Sequence, residues 1–345
     1  MSVMGPRAKR VSMTDVARQA GVSQKTVSRV VNEEPYVTDA VRDRVLEVIE
    51  RLGFQPNEAA RALVTRRGRR IGAVAMGGSA FYGPTSALAG VESFARAAGY
   101  ALSVIRTDPA AGDDIQDAIT ALVGQGSEAI VISEPVDFGH GLLRIPDGVE
   151  VLTFGMGAVT SHPRELVVGT DEIGSSRAAT EHLLAQGHRS VQHISGPMNW
   201  ISSRSRLAGW RSALEDEGTT VPEPIEGDWT PESGYRAMSR LIETTDCAAV
   251  FVSNDQMAIG AMAAAQAAGR RVPHDIAVVG FDDIDVAAYL AVPLTTVRQN
   301  FAEVSRIGMH RLLRALDGHV PESLHRALPA ELVIRESSIT PVPTR

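Results

Sequence analysis

Apolar positions recur with a helical period through the first fifty residues. Between Gln24 and Asn32, Val27, Val30 and Val31 fall at i, i+3 and i+4, which leaves Gln24, Lys25, Ser28 and Arg29 on the opposite, long-armed face. Ahead of this, Ser12 to Gly21 reads as a short helix, with Ser12 and Asp15 in capping-box spacing and Gly21 placed for a left-handed turn. After it, Thr38 as N-cap followed by Val41, Val45, Leu46, Val48, Ile49 and Leu52 predicts a third helix ending at Gly53 that covers the first two. Three short helices around a valine-rich core make an all-α helix-turn-helix headpiece.

From Ile71 the period changes. Short β-branched runs, among them Ile71 to Met76, Ala129 to Ser133, Val151 to Phe154, Ala248 to Ser253 and Ile276 to Phe281, alternate with amphipathic stretches such as Gly90 to Ala98, Arg177 to Gly187 and Ala302 to Leu316. Buried strands alternating with helices predict doubly wound parallel sheets covered on both faces. About ten strands exceed one comfortable sheet, so the α/β core is expected as two similar lobes.

Length and composition fit this picture: 345 residues, 44% hydrophobic and 22% charged, with a single cysteine, Cys247, which excludes intramolecular disulfides and CxxC sites. With neither a long apolar run nor an apolar stretch after the charged N-terminus, the expectation is a cytoplasmic protein without membrane association. The net charge of -7 conceals an asymmetry: residues 1 to 70 carry 14 Lys+Arg against 8 Asp+Glu, and the rest 20 against 33. A small basic module on an acidic body localises attraction to a polyanion.

The chemistry of the headpiece face suits duplex DNA. The N-terminal residues of a recognition helix meet base edges in the major groove; Arg29 can grip guanine bidentately and Gln24 suits adenine, with Lys25 and Ser28 beside them. Ser12, Thr14, Ser23, Thr26 and Asn32 are placed for phosphates. Next, Pro56 ends a helix and Asn57 can cap a new one of about two turns, too short to persist alone in water.

The runs Thr14-Asp15-Val16-Ala17, Ala20-Gly21-Val22-Ser23 and Thr26-Val27-Ser28-Arg29-Val30-Val31-Asn32, with GDWTPESG, SNDQMAIGAM, VGFDD and PLTTVRQNF further on, resemble the lactose-repressor (LacI/GalR) family of bacterial transcription regulators. The resemblance implies a headpiece at 1–55, a hinge helix and basic linker at 56–70, and a core resembling the type I periplasmic-binding-protein fold at 71–345. Its N-lobe would span about 71–171 plus 299–328 and its C-lobe about 172–298 plus 329–340. By the same resemblance Asn57, Ala60, Arg61 and Leu63 would enter the minor groove in pairs, Leu63 as a wedge that kinks the DNA.

Ligands of such folds sit at the carboxyl ends of strands, between the lobes. Strand ends deliver Asn254, Gln256 and Asp282 there, and Phe81 and Tyr82 follow the first strand. Arg206, Trp229 and Phe301 match the family's effector-gripping arginine and its aromatic platforms. The aspartate expected shortly before the EHL motif is shifted, with Gly174 at its place and Asp171 three residues earlier, and Trp200 occupies the position facing the sugar. The implied protein is a homodimeric repressor of carbohydrate-utilisation genes on a pseudo-palindromic operator, released by a sugar or glycoside; the alternative is a purine or phosphosugar effector.

Other patterns carry no chemistry. His182, His188 and His193 have no single ligand face, so no metal is expected; Gly155-Met156-Gly157 lacks the third glycine of a dinucleotide fingerprint; and Asp283 and Asp285 read as surface or capping residues. No GxSxG, HExxH or Walker motif occurs, and neither a cofactor nor an enzymatic activity is expected.

Overall fold

The computed structural model describes residues 11–32, 34–54, 68–76, 82–107, 114–133, 136–137, 141–157 and 159–339. Contacts divide the chain into Met1–Gly68 and Arg69–Arg345. In the first unit, α1 (Met13–Ala20), α2 (Gln24–Val31) and α3 (Asp39–Leu52) form the expected headpiece. Ser12 and Asp15 make a reciprocal capping box, and Gly21 closes α1 at φ 64°, where a side chain would be strained. Val16, Ala17, Ala20, Val27, Val30, Val45 and Val48 are buried together, joined by Phe54. Leu46 departs from expectation: it is 48% exposed, because the stripe facing α1 and α2 is completed by Val45, Val48 and Ile49. Residues 55–67, and with them Asn57, Ala60, Arg61 and Leu63, lie outside the described residues.

The second unit contains two six-stranded sheets. The first is built from β1 (Arg70–Met76), β2 (Ala101–Thr107), β3 (Ala129–Ile132), β4 (Glu150–Phe154), β5 (Leu166–Thr170) and β11 (His325–Leu328), in the order β11-β5-β4-β3-β1-β2 and parallel throughout. The second takes β6 (Gln192–Ser195), β7 (Ile225–Glu226), β8 (Ala249–Val252), β9 (Ala277–Asp282), β10 (Thr295–Arg298) and β12 (Glu331–Val333), in the order β12-β10-β9-β8-β6-β7. β12 runs antiparallel to β10. Each sheet therefore repeats one winding order, with a topological switch between its first and third strands, where crevices form beyond the carboxyl ends.

Among the described residues seven further α-helices cover the sheets: α4 (Tyr82–Ala97), α5 (Asp114–Gly124), α6 (Glu172–Ala185), α7 (Ile201–Asp216), α8 (Pro231–Thr244), α9 (Asp255–Ala267) and α10 (Phe301–Leu316). Several begin earlier than the apolar periodicity predicted. α4 starts at Tyr82 rather than Gly90, with Pro84 in its first turn where no helical N–H is missed, and α6 starts at Glu172 because Asp171 caps it. The chain passes between the sheets after β5, after β10 and after β11. α10 packs on α4 and on β4 of the first sheet, and a Cβ at Gly90 would lie 2.4 Å from that of Ser305, so the α4–α10 approach requires glycine there. No helix among the described residues is long and apolar enough to cross a membrane.

Candidate functional site

The headpiece presents Gln24 and Lys25 exposed on the first turn of α2, with Ser28 and Arg29 half-buried one turn on. Lys25 stands near the positive end of the helix dipole, which favours phosphate. Arg29 lies 3.6 Å from Glu34, and Ser28 accepts from Asn32 Nδ2 at 3.3 Å, so both are held in place locally. Among the residues assigned to phosphates, Thr14 is exposed, whereas Ser12 and Ser23 serve as N-caps. The Ser12 hydroxyl donates to Asp15 at 2.6 Å, Ser23 Oγ accepts from Thr26 N at 3.1 Å while pairing with the Thr26 hydroxyl, and Asn32 closes the C-terminus of α2.

Between the carboxyl ends of the two sheets lies a cleft of about 720 Å³ including its open mouth. Tyr82, Trp200, Arg206, Trp229, Asn254, Asp282 and Phe301 line it, together with Ser133, Glu172, Ser202 and Gln299. Phe81 is outside the described residues. Two predicted cleft residues do other work. Asp171 is exposed at the mouth of α6, where its Oδ1 accepts from Gly174 N at 3.0 Å as the helix cap. Gln256 does not line the cleft; its Oε1 accepts from Asn254 Nδ2 at 3.0 Å. Asn254 in turn caps α9 through Met257 N and holds the Trp229 carbonyl at 3.1 Å, so it fixes the aromatic wall.

The carboxylate next to Arg206 is Glu172, one residue beyond the predicted Asp171. Arg206 Nε and Nη2 donate to Glu172 Oε1 at 3.0 and 2.6 Å, Nη1 donates to the Ser253 carbonyl at 2.5 Å, and Asp282 Oδ1 stands 3.8 Å from Nη1. The guanidinium carbon is 4.0 Å from the ring centroid of Phe281 and 5.6 Å from that of Trp229. Asp282 also accepts from Gln299 Nε2 at 2.8 Å. Burial raises its carboxyl to about 6 despite the opposing pull of Arg206 and Gln299. Trp229 and Asp282 both sit in left-handed backbone, at φ 72° and 118°, an unusual cost for non-glycine residues that the surrounding contacts sustain at a cleft wall. Trp200 meets Trp229 edge-on at 5.5 Å, and Tyr82 meets Phe301 edge-on at 5.8 Å, giving two apolar walls beside the charged floor.

Asp283 departs from its surface reading. Its side chain is only 9% exposed and pairs with Arg298 and Arg335 at 2.6 Å each, tying the 331–339 segment to β9. Trp210 is fully buried and donates to the Val191 carbonyl, and His193 stacks between Trp210 and Phe251, with burial lowering its imidazole to about 4. Glu172, Gln299, Phe281 and the Ser253 carbonyl escaped the sequence reading. The signal available for Glu172 was its place at the start of a helix capped by Asp171, directly after a strand.

A helix-turn-helix headpiece joined in one chain to a two-lobed core with a polar, aromatic-walled cleft is the build of a ligand-responsive transcription regulator. The lacI-family domain of bacterial regulatory proteins matches residues 12–57, and a periplasmic binding protein-like domain matches residues 180–338. The lactose operon repressor of Escherichia coli K12 is 32% identical over 334 residues, 96% of this chain and 92% of that protein. CelR of Thermobifida fusca is 33% identical over 342 residues, 96% of this chain and 99% of that protein. The crystal structure of the lac repressor dimer bound to operator and the anti-inducer ONPF superposes with a TM-score of 0.84 at 29% identity, covering 96% of this chain and all of that one. The CelR–cellobiose complex gives 0.67 at 30% identity, covering 95% and 100%. The chain belongs to the lacI family of bacterial regulatory proteins.

Proposed function

We propose that the chain is a repressor of carbohydrate-utilisation genes that binds a pseudo-palindromic operator as a homodimer and is released by a sugar or glycoside in the inter-lobe cleft. The observation that carries the effector class is the floor and walls of that cleft: buried Glu172, Asp282 and Arg206 beneath Trp229, Trp200, Phe301 and Tyr82. Charged groups grip hydroxyls, and rings cover the apolar face of a pyranose. The operator complex of the lac repressor dimer and the cellobiose complex of CelR support both partners.

In this reading Gln24, Lys25, Ser28 and Arg29 read bases, Thr14 and the N-terminus of α2 meet phosphates, and Asn57, Ala60, Arg61 and Leu63 couple the two functions through a hinge helix that DNA stabilises and sugar releases. The role is binding without turnover. The test is an operator-shift assay on the purified chain against a panel of neutral mono- and disaccharides: at least one should release the operator. Release by purines or sugar phosphates alone would replace the sugar reading, and no operator binding at all would overturn the regulator itself.

A further inference from the structure

Resting on the sugar reading of the cleft, we propose that Glu172 sets the charge class of the effector, so that the cleft takes an uncharged polyol and turns away phosphorylated and carboxylated sugars. Arg206 is the cleft cation that would otherwise receive an anion, since a guanidinium fork matches phosphate bidentately. Here three of its five N–H groups are already directed within the protein: Nε and Nη2 each donate to Glu172 Oε1, and Nη1 donates to the Ser253 carbonyl. Both members of the pair are only 7% exposed, so little water screens them. With Asp282 3.8 Å from the same guanidinium, the described lining residues carry two carboxylates against one cation.

The open hydrogen-bonding capacity points the same way. Glu172 Oε2 and Asp282 Oδ2 accept no hydrogen bond from the described residues, and an acceptor calls for a donor. The Trp229 indole N–H and the Ser133 hydroxyl, both on lining residues, are buried with no partner among the described residues. A ligand hydroxyl both donates and accepts, so it can satisfy the open carboxylate oxygens. A phosphomonoester at neutral pH is mostly a dianion whose phosphoryl oxygens accept, and it would set that charge against the two carboxylates.

Titration calorimetry and thermal shift on the full chain test this, with glucose, cellobiose, lactose, glucose 6-phosphate and inorganic phosphate as probes. Wild type should bind at least one neutral sugar, undisturbed by millimolar phosphate, and show no binding of glucose 6-phosphate or phosphate. In Glu172→Gln the preference for neutral over phosphorylated sugar should fall by at least about tenfold, with an anion now binding measurably. Wild type binding glucose 6-phosphate as tightly as any neutral sugar, or phosphate competing with sugar, overturns the proposal whether or not the variant folds; so does a folded Glu172→Gln that stays blind to both anions. If no neutral sugar binds wild type yet Glu172→Gln acquires phosphate, the charge assignment stands and the sugar reading fails.

Discussion

The guanidinium of Arg206 lies 4.0 Å over the ring of Phe281, the residue that immediately precedes Asp282 in β9, while Glu172 at the start of α6 takes two of its N–H groups. One strand thus supplies both the platform for the cation and a carboxylate beside it, and a helix following the chain's first crossing supplies the other.

Arg206→Ala removes the cation from two buried carboxylates. The expected loss of stability is about 3–5 kcal/mol, because breaking one partner of a buried pair strands the other. Thermal unfolding reads the loss, and an operator-release assay at a permissive temperature should find the variant insensitive to sugar. Normal induction would remove Arg206 from effector binding.

The raised carboxyl of Asp282 predicts pH dependence. If ligand hydroxyls bind the ionised form, sugar affinity should rise about tenfold from pH 5 to pH 7 around a value near 6, with a proton released on binding. Calorimetry in buffers of different ionisation enthalpy measures the proton, and Asp282→Asn should flatten the profile. For stability the sign is opposite to that of an ordinary paired carboxylate. Asp282 and the fully buried Asp255 are both raised by burial, so the folded chain holds protons the unfolded chain releases, and their contribution declines as pH climbs from the usual carboxylate range through the raised values.

Arg29→Ala should cost specific operator binding about 1–3 kcal/mol, the usual worth of a bidentate base contact. Fluorescence anisotropy on specific and scrambled duplexes separates this from general phosphate attraction. Sugar affinity should not change; equal loss of both would indicate an unfolded chain.

Gly90→Ala tests the α4–α10 contact. A Cβ there would meet the Ser305 side chain at 2.4 to 2.6 Å, and Ser305 Oγ donates to the Ala87 carbonyl at 3.1 Å, which limits its retreat. Overpacking of this kind costs about 1–3 kcal/mol. Adding Ser305→Gly should recover part of the melting temperature, and no recovery would mean the strain lies elsewhere.

Much of the fold was legible because central strands such as β3 and β8 are continuous apolar runs buried from end to end, whereas β5, equally buried, was not among the strands the sequence predicted. Three edge strands escaped as well. β7 has two residues, β11 reads His325-Arg326-Ala327-Leu328 with three of the four exposed, and β12 is short and half-exposed, so no apolar pattern marks them. The cleft was legible at Asn254 and Asp282, where a strand end fixes direction, though not at Gln256 two residues further on. It was not legible at Asp171 and Glu172, because successive residues at a helix start point about 100° apart, and only tertiary packing shows which of the two carboxylates turns inward.

The central claim is that cleft and headpiece are energetically coupled. Coupling is reciprocal: if sugar weakens operator affinity a hundredfold, about 2.7 kcal/mol, operator must weaken sugar affinity by the same factor. Calorimetric titration of sugar into the free chain and into its operator complex measures this directly. Matching factors are the expected result, and sugar affinity unchanged by saturating operator would contradict the account.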